Sequence, residues 1–159
     1  MIIIGFDPGS RYCGYGLLQI EDRKVLAAGC DVIDVTRGKT LALRLKSLYD
    51  NIITILEEYH PEIAAVESIF FHRQVRSIFT LGHSRGVILL ALAMKDIPIV
   101  EYSPREIKKS VCGNGNASKQ QVRYMINQLY PLKENLARDD AFDALAVATC
   151  HYNRMKWLR

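Results

Sequence analysis

Two acidic residues stand at positions where carboxylates could act together. Asp7 follows the apolar run at residues 2–6, and Glu67 follows the apolar run at residues 63–66, so each ends a predicted buried strand. Open α/β sheets usually carry their sites at strand ends, where the loops are free to vary. If these two strands are neighbours, Asp7 and Glu67 lie close together. Such a pair persists most readily when a cation bridges it, because like charges in a partly buried site repel.

Residues 139–143, with the sequence DDAFD, add acids at the start of a predicted helix. Residues three or four apart share a helix face, so Asp143 can point the same way as either Asp140 or Asp139. Carboxylates in a first turn also stabilise the helix dipole, a structural explanation that suits Asp139 and extends to Asp140. It does not explain Asp143, which lies a turn further in among apolar residues. The residues alone leave the choice between Asp139 and Asp140 open.

Carboxylates from three separated segments, with no His or Cys cluster beside them, form an all-oxygen ligand set. Such a set suits Mg²⁺ or Mn²⁺ rather than zinc. Two such ions about 3.5 to 4 Å apart can activate a water and stabilise the leaving oxygen of a phosphodiester. Each acid taken singly is more often a cap or a surface residue. Together with the basic segment described next, the acids predict a metal-dependent phosphodiesterase.

Basic residues concentrate in one part of the chain. The net charge is +4, but residues 72–123 hold nine Lys or Arg and three Asp or Glu. A locally positive segment is the electrostatic footprint of a protein that binds a phosphate backbone. The alternative interpretation is a solvated helix face. The four cysteines form no Cys-x-x-Cys pair, which argues against a zinc finger or a redox motif.

The elements around these residues predict a mixed α/β sheet. Residues 2–6, 14–20 and 25–35 indicate an antiparallel three-stranded meander, and residues 63–67 and 97–102 indicate two further strands. Helix patterns cover residues 41–59, 74–95, 104–112, 118–130 and 139–154. This order predicts a mixed five-stranded sheet with helices on both faces, in a single domain over residues 1–159.

The N-terminus has no basic leader before its apolar run, so it does not resemble a secretory signal. The longest uncharged apolar stretch, residues 86–94, is far shorter than the ~20 residues that span a bilayer. We therefore expect a cytoplasmic protein that makes no use of a membrane.

Three motifs together resemble the RuvC family of Holliday-junction resolvases. They are DPGSRYCGYG at residues 7–16, AVE at residues 65–67 with Phe70 after it, and DAFDALA at residues 140–146. A single Asp-x-Gly loop also opens actin-like ATPases, but three motifs in this order are specific to the family. The resemblance covers nearly the whole chain. It implies an RNase H-like fold and a homodimer that nicks two strands of a four-way DNA junction symmetrically during recombination and repair.

The resemblance also implies roles for individual residues. Asp7, Glu67, Asp140 and Asp143 would be the catalytic, metal-binding acids, with two Mg²⁺ ions per active site and Mn²⁺ able to substitute. Spacing favours Asp140 over Asp139. The residues implied to contact DNA are Phe70, which stacks at the junction centre, Lys108 and Lys119 near the scissile bond, and Arg73, Arg76, Lys109 and Arg123 on phosphates.

The family resemblance extends to partners. The long helix at residues 74–95, with Gly82 and Gly86, is similar to the family's dimer interface, although these glycines could equally pack against the chain's own sheet. The RuvA–RuvB branch-migration complex is the implied partner.

Other classes of protein use parts of the same pattern. Another RNase H-like nuclease, such as a ribosomal-RNA-processing enzyme of the YqgF type or an RNase H acting on hybrids, would use the same acids on another substrate. An actin-like ATPase needs a second Asp-x-Gly loop, which the sequence does not contain. A DNA-binding module without catalysis does not explain acids gathered against a polyanion, because without metal they weaken binding.

Overall fold

The computed structural model of the chain describes residues 1–68, 75–132 and 138–155, of which 75–78 by their backbone alone. The predicted strands and helices are present, with ends displaced by one or two residues, the usual uncertainty of such boundaries. In chain order they are β1 (Ile2–Asp7), β2 (Tyr12–Glu21), β3 (Lys24–Asp34), α1 (Leu41–Tyr59), β4 (Ile63–Glu67), α2 (Val75–Met94), β5 (Ile99–Tyr102), α3 (Pro104–Cys112), α4 (Lys119–Leu129) and α5 (Asp139–Met155).

The five strands form one mixed sheet in the order β3-β2-β1-β4-β5. β1, β2 and β3 form the predicted antiparallel meander, whereas β4 runs parallel to β1, and β5 parallel to β4. The prediction of a mixed five-stranded sheet is confirmed. Because β1 and β4 are parallel neighbours, both end at the same edge of the sheet, where Asp7 and Glu67 stand.

Helices cover both faces of the sheet, as predicted. α1 and α2 cover one apolar cluster, which includes Ile4 and Phe6 of β1. α3, α4 and α5 cover the other, which includes Ile3 of the same strand. Successive side chains of a strand point to opposite faces, so Asp7 falls on the side of Ile3. The acid that ends β1 therefore faces the same side of the sheet as α5.

Glycines let α5 lie directly against the sheet. A Cβ atom added at Gly5, Gly14 or Gly16 would collide with the backbone of α5, and at Gly14 the colliding atom is the carbonyl oxygen of Asp140. Any other residue would push the helix outward, because backbone cannot give way as a flexible side chain can. These strand glycines set how close the acids of α5 come to those of the strands.

The two shorter helices begin at well-defined caps. Ser103 and Glu106 form a capping box at the start of α3, and Ser118 and Gln121 form another at the start of α4. α3 ends at Gly113, whose φ of 73° is a conformation that suits glycine. These caps fix the positions of the lysines that the two helices carry.

One face of α2 packs inward and the other is exposed. Ile88 and Leu92 are buried, whereas Phe79, Leu90 and Met94 are 67%, 55% and 63% exposed. Within the described ranges, no helix combines the length and apolar character that crossing a membrane requires.

Candidate active site

A cleft of about 530 Å³ opens at the edge of the sheet where β1 and β4 end. The loop between β1 and β2 forms one side, and residues of α3, α4 and α5 form the other. The cleft brings together the four acids named from the sequence and two of the predicted lysines. Its charged lining residues are Asp7, Arg11, Glu67, Lys108, Lys119, Asp140 and Asp143.

Asp7 and Glu67, the strand-end pair, lie close enough for the charge of one carboxylate to act on the other. Burial and the nearby charges of Glu67 and Asp143 raise the pKa of Asp7 well above its ordinary value. Burial also raises the pKa of Glu67. Like charges this close favour a form in which one of the two carboxylates holds a proton. A cation that enters the cleft can take the place of that proton.

Asp140 and Asp143, the helix pair, are instead held by basic side chains. Asp143 Oδ2 accepts a hydrogen bond from Lys119 Nζ at 2.9 Å, and this bond raises the pKa of Lys119. Asp140 Oδ2 accepts one from Arg138 Nε at 3.2 Å. Each acid of the helix pair thus has its charge balanced by a neighbouring cation.

Asp139 lies outside the cleft. Its Oδ1 accepts a hydrogen bond from Arg123 Nη1 at 2.6 Å, and the Arg123 guanidinium lies 4.6 Å from the centre of the Phe142 ring. The geometry therefore favours Asp140 over Asp139 as a ligand, in agreement with the spacing. The ligand assignment itself stays a prediction.

The donor set fits a hard cation in its chemistry, although the carboxylates are not yet gathered around one point. In the parts of the chain that the structure describes, no three His, Cys, Asp or Glu side chains are close enough to hold a metal ion. Lys119 holds Asp143, and Arg138 holds Asp140. All four carboxylates line one cleft, so Asp140 and Asp143 can join the strand-end pair once they leave these partners.

The lysines of α3 separate into two positions. Lys108 is half-buried and lines the cleft, whereas Lys109 is exposed and lines a neighbouring groove with Arg105. Arg123, also named from the sequence, is bonded to Asp139. Of these residues, only Lys108 and Lys119 stand beside the acids.

Three further residues lie beyond what the structure describes. Phe70 and Arg73 lie outside the described residues. Arg76 belongs to α2, but its side chain lies outside them too. Their DNA contacts stay predictions.

The sequence reasoning missed Arg138 and Tyr12. The Arg138 guanidinium carbon lies 3.3 Å from the centre of the Tyr12 ring, and Tyr12 lines the cleft. Arg138 precedes α5, two residues before Asp140, where helical spacing predicts no shared face. No pattern along the chain connects it to Tyr12.

The sequence and the fold match those of known proteins. The family described as "Crossover junction endodeoxyribonuclease RuvC" matches residues 3–151. A protein of that name from Pelotomaculum thermopropionicum is 40% identical over 159 residues, covering 100% of this chain and 97% of the relative. The solved structure of Thermus thermophilus RuvC is 28% identical, with a TM-score of 0.86 over 99% of this chain and 96% of that one.

A second solved structure holds the Thermus thermophilus protein in complex with a Holliday junction substrate. It has a TM-score of 0.88 and 28% identity, again over 99% of this chain and 96% of that one. These matches confirm the RNase H-like fold that the sequence predicted.

Proposed function

The chain belongs to the RuvC family of crossover junction endodeoxyribonucleases, and we propose that it cuts four-way DNA junctions by hydrolysing one phosphodiester bond in each of two strands. The observation that carries this proposal is that four carboxylates from three segments line one cleft, which Lys108 and Lys119 also line. Acids at this density repel DNA unless a cation neutralises them, so binding alone does not explain them. We propose one nuclease domain over residues 1–159, acting in recombination and repair.

Nucleases of this family depend on a metal ion. For this chain we propose two Mg²⁺ ions per active site, with Mn²⁺ able to substitute, held by Asp7, Glu67, Asp140 and Asp143. Bound there, the ions supply an activated water and stabilise the leaving oxygen of the phosphodiester. Asp7 and Glu67 would contribute from paired strand residues. Asp140 and Asp143 complete the set from the first turns of α5.

The lysines have a separate part in the reaction. Lys119 bonds Asp143, and its pKa is raised, so it is positively charged at neutral pH. If Asp143 served as a metal ligand, Lys119 would be free to donate a hydrogen bond to an oxygen of the scissile phosphate. Lys108 lines the same cleft and adds a second positive charge there. Preorganised donors of this kind stabilise the charge that builds up on phosphate oxygens.

We propose that two copies act together through the exposed face of α2. A four-way junction offers two equivalent strands, which a two-fold symmetric dimer can cut alike. Phe79, Leu90 and Met94 form an exposed apolar stripe, and a Cβ added at Gly82 or Gly86 would meet nothing within 4 Å in the described chain. These glycines are therefore open on this face rather than packed against the chain's own sheet, which supports the dimer.

The dimer proposal can be tested on size in solution. Leu90→Asp places a charge in the middle of the exposed stripe of α2, and we expect sedimentation to give a monomer. Leu129→Asp is a matched control, because Leu129 is an exposed leucine on α4. A dimer that survives Leu90→Asp, or is lost in both variants, contradicts this interface.

We also propose the RuvA–RuvB branch-migration complex as a partner and the cytoplasm as the place of action. Both rest on membership of the family. An unchanged rate of junction cleavage when RuvA and RuvB are added would count against the partner.

The substrate is tested by incubating the protein with a mobile four-way junction, a linear duplex and an RNA–DNA hybrid, each with Mg²⁺ and with EDTA. We expect paired nicks only in the junction and only with Mg²⁺. Cleavage of the hybrid alone would indicate another nuclease of this fold. Junction binding without any cut, in both metal conditions, would indicate a binding module.

A further inference from the structure

We propose that Arg138 is a positioning residue that competes with the metal ion for Asp140, and that Tyr12 holds it in that place. The inference rests on the metal site proposed above. Arg138 immediately precedes α5, and its Nε donates to Asp140 Oδ2 at 3.2 Å. Its guanidinium carbon lies 3.3 Å from the centre of the Tyr12 ring. One side chain thus contacts both a predicted ligand and an aromatic ring that lines the cleft.

Stacking on Tyr12 limits where the guanidinium can go. A planar guanidinium over an aromatic face is attracted by the ring, which lowers the conformational freedom that Arg would otherwise have. Arg138 therefore stays beside Asp140 instead of extending into solvent. The ring and the cation together act as a fixed positive charge next to the site.

The bond to Asp140 is one that a divalent cation can replace. Its 3.2 Å length exceeds the 2.7–2.9 Å typical of charge-assisted N–H···O bonds. The side chains of Arg138 and Asp140 are 41% and 31% exposed, so water screens the pair. Asp140 lines the cleft and Arg138 does not, so the bond ties a cleft carboxylate to a side chain outside the cleft. Metal binding must overcome this contact.

The first turn of α5 supplies a matched pair for comparison. Arg123 and Asp139 form a contact of the same chemical type, at 2.6 Å, beside an aromatic ring. Asp139 does not line the cleft. Loss of the Arg123 charge therefore serves as a control for the change in net charge.

The experiment titrates the DNA-free protein with Mn²⁺ and measures free Mn²⁺ by electron paramagnetic resonance. For Arg138→Gln we expect binding about three- to tenfold tighter, the size expected when one like charge near a cation is removed. Arg138→Lys keeps the charge but not the planar stack, so we expect an intermediate value. Tyr12→Leu should also tighten binding, by less. Arg123→Gln should change the dissociation constant by less than about twofold.

The outcomes separate this inference from the metal site on which it rests. Thermal unfolding monitored by circular dichroism first establishes that each variant is folded. If the unmodified protein binds Mn²⁺ and Asp7→Asn does not, the metal site is supported. Unchanged or weaker Mn²⁺ binding by Arg138→Gln then contradicts the proposal that Arg138 competes with the metal ion. An equal gain in Arg123→Gln overturns it too, because net charge then explains the effect. Wild-type-like binding by Asp7→Asn, or no binding by the unmodified protein, removes the site and the inference together.

Discussion

The two pairs of acids in the cleft differ in how their negative charge is compensated. Asp7 and Glu67, at the ends of parallel strands, are buried beside each other, and the pKa of each is raised. Asp140 and Asp143, on α5, each bond to a basic side chain from another segment or from just before the helix. The strand-end pair is therefore short of positive charge, and the helix pair is already balanced. A cation that enters the cleft relieves the first pair and must displace the partners of the second.

The largest expected effect comes from removing a cleft acid. We expect Asp7→Asn to slow junction cleavage at least about a thousandfold, the scale for loss of a group that acts in the reaction itself. Asp139→Asn is the matched control, because Asp139 lies outside the cleft and bonds Arg123. Single-turnover rates with saturating protein make the comparison. Equal losses in the two variants would mean that the cleft does not separate these acids by function.

The closeness of the two pairs can be broken at a glycine. In Gly14→Ala the new methyl group meets the carbonyl oxygen of Asp140, so α5 must move away from the sheet. We expect the free energy of unfolding to fall by about 1–3 kcal/mol and cleavage to fall with it. Gly29→Ala on β3 is the control, since a Cβ there meets nothing within 4 Å. The free energy of unfolding of this control should change by no more than about 0.5 kcal/mol. Urea unfolding measures the free energy of unfolding of both variants. An unchanged value for Gly14→Ala would show that the position of α5 does not depend on this contact.

Neutralising one acid from each pair should change stability in opposite directions. At pH 8 with EDTA, Asp7→Asn removes a repelling charge from the strand-end pair, and we expect a gain of about 1–2 kcal/mol. Asp143→Asn removes the partner of Lys119, which is largely exposed, so we expect a loss below about 1 kcal/mol. Thermal melts distinguish these results. Two shifts of the same sign would show that the pairs do not differ as described.

The smallest effect is the pH dependence that the strand-end pair confers. The fold raises the pKa values of Asp7 and Glu67 above their unfolded values of about 4. Between the unfolded and the folded pKa values, the folded protein binds more protons than the unfolded chain. The pair's contribution to the free energy of unfolding therefore falls as pH rises through this range. Urea unfolding in EDTA from pH 5 to pH 8 should show a flatter curve for Asp7→Asn. Parallel curves would show that the fold does not raise the pKa of Asp7.

The strand-end pair could be predicted from the sequence because it follows from local patterns. Two short apolar runs, each ended by an acid, place Asp7 and Glu67 at strand ends. The parallel pairing of β1 and β4 then brings the two acids to the same edge of the sheet. The helix pair could be predicted only in part, since helical spacing permits either Asp139 or Asp140. The contact of Arg123 with Asp139, which distinguishes them, joins two helices.

Features that depend on tertiary packing left no signal in the sequence. The contact of Arg138 with Tyr12 joins segments far apart in the chain. In the sequence, Gly14 is an ordinary strand residue. Only the structure shows that α5 packs directly against it. Side-chain partners and close backbone approaches are set by how elements pack, which periodicity does not encode.

The most direct test of the contrast between the two pairs is the number of protons released when Mn²⁺ binds to the DNA-free protein. Calorimetry at pH 6 in two buffers of different ionisation enthalpy gives this number. We predict a net release of protons, because the cation favours the ionised forms of Asp7 and Glu67, whose pKa values are raised, and the same release from Asp139→Asn. Binding of Mn²⁺ without proton release would contradict the proposal that a cation replaces protons on these strand-end acids.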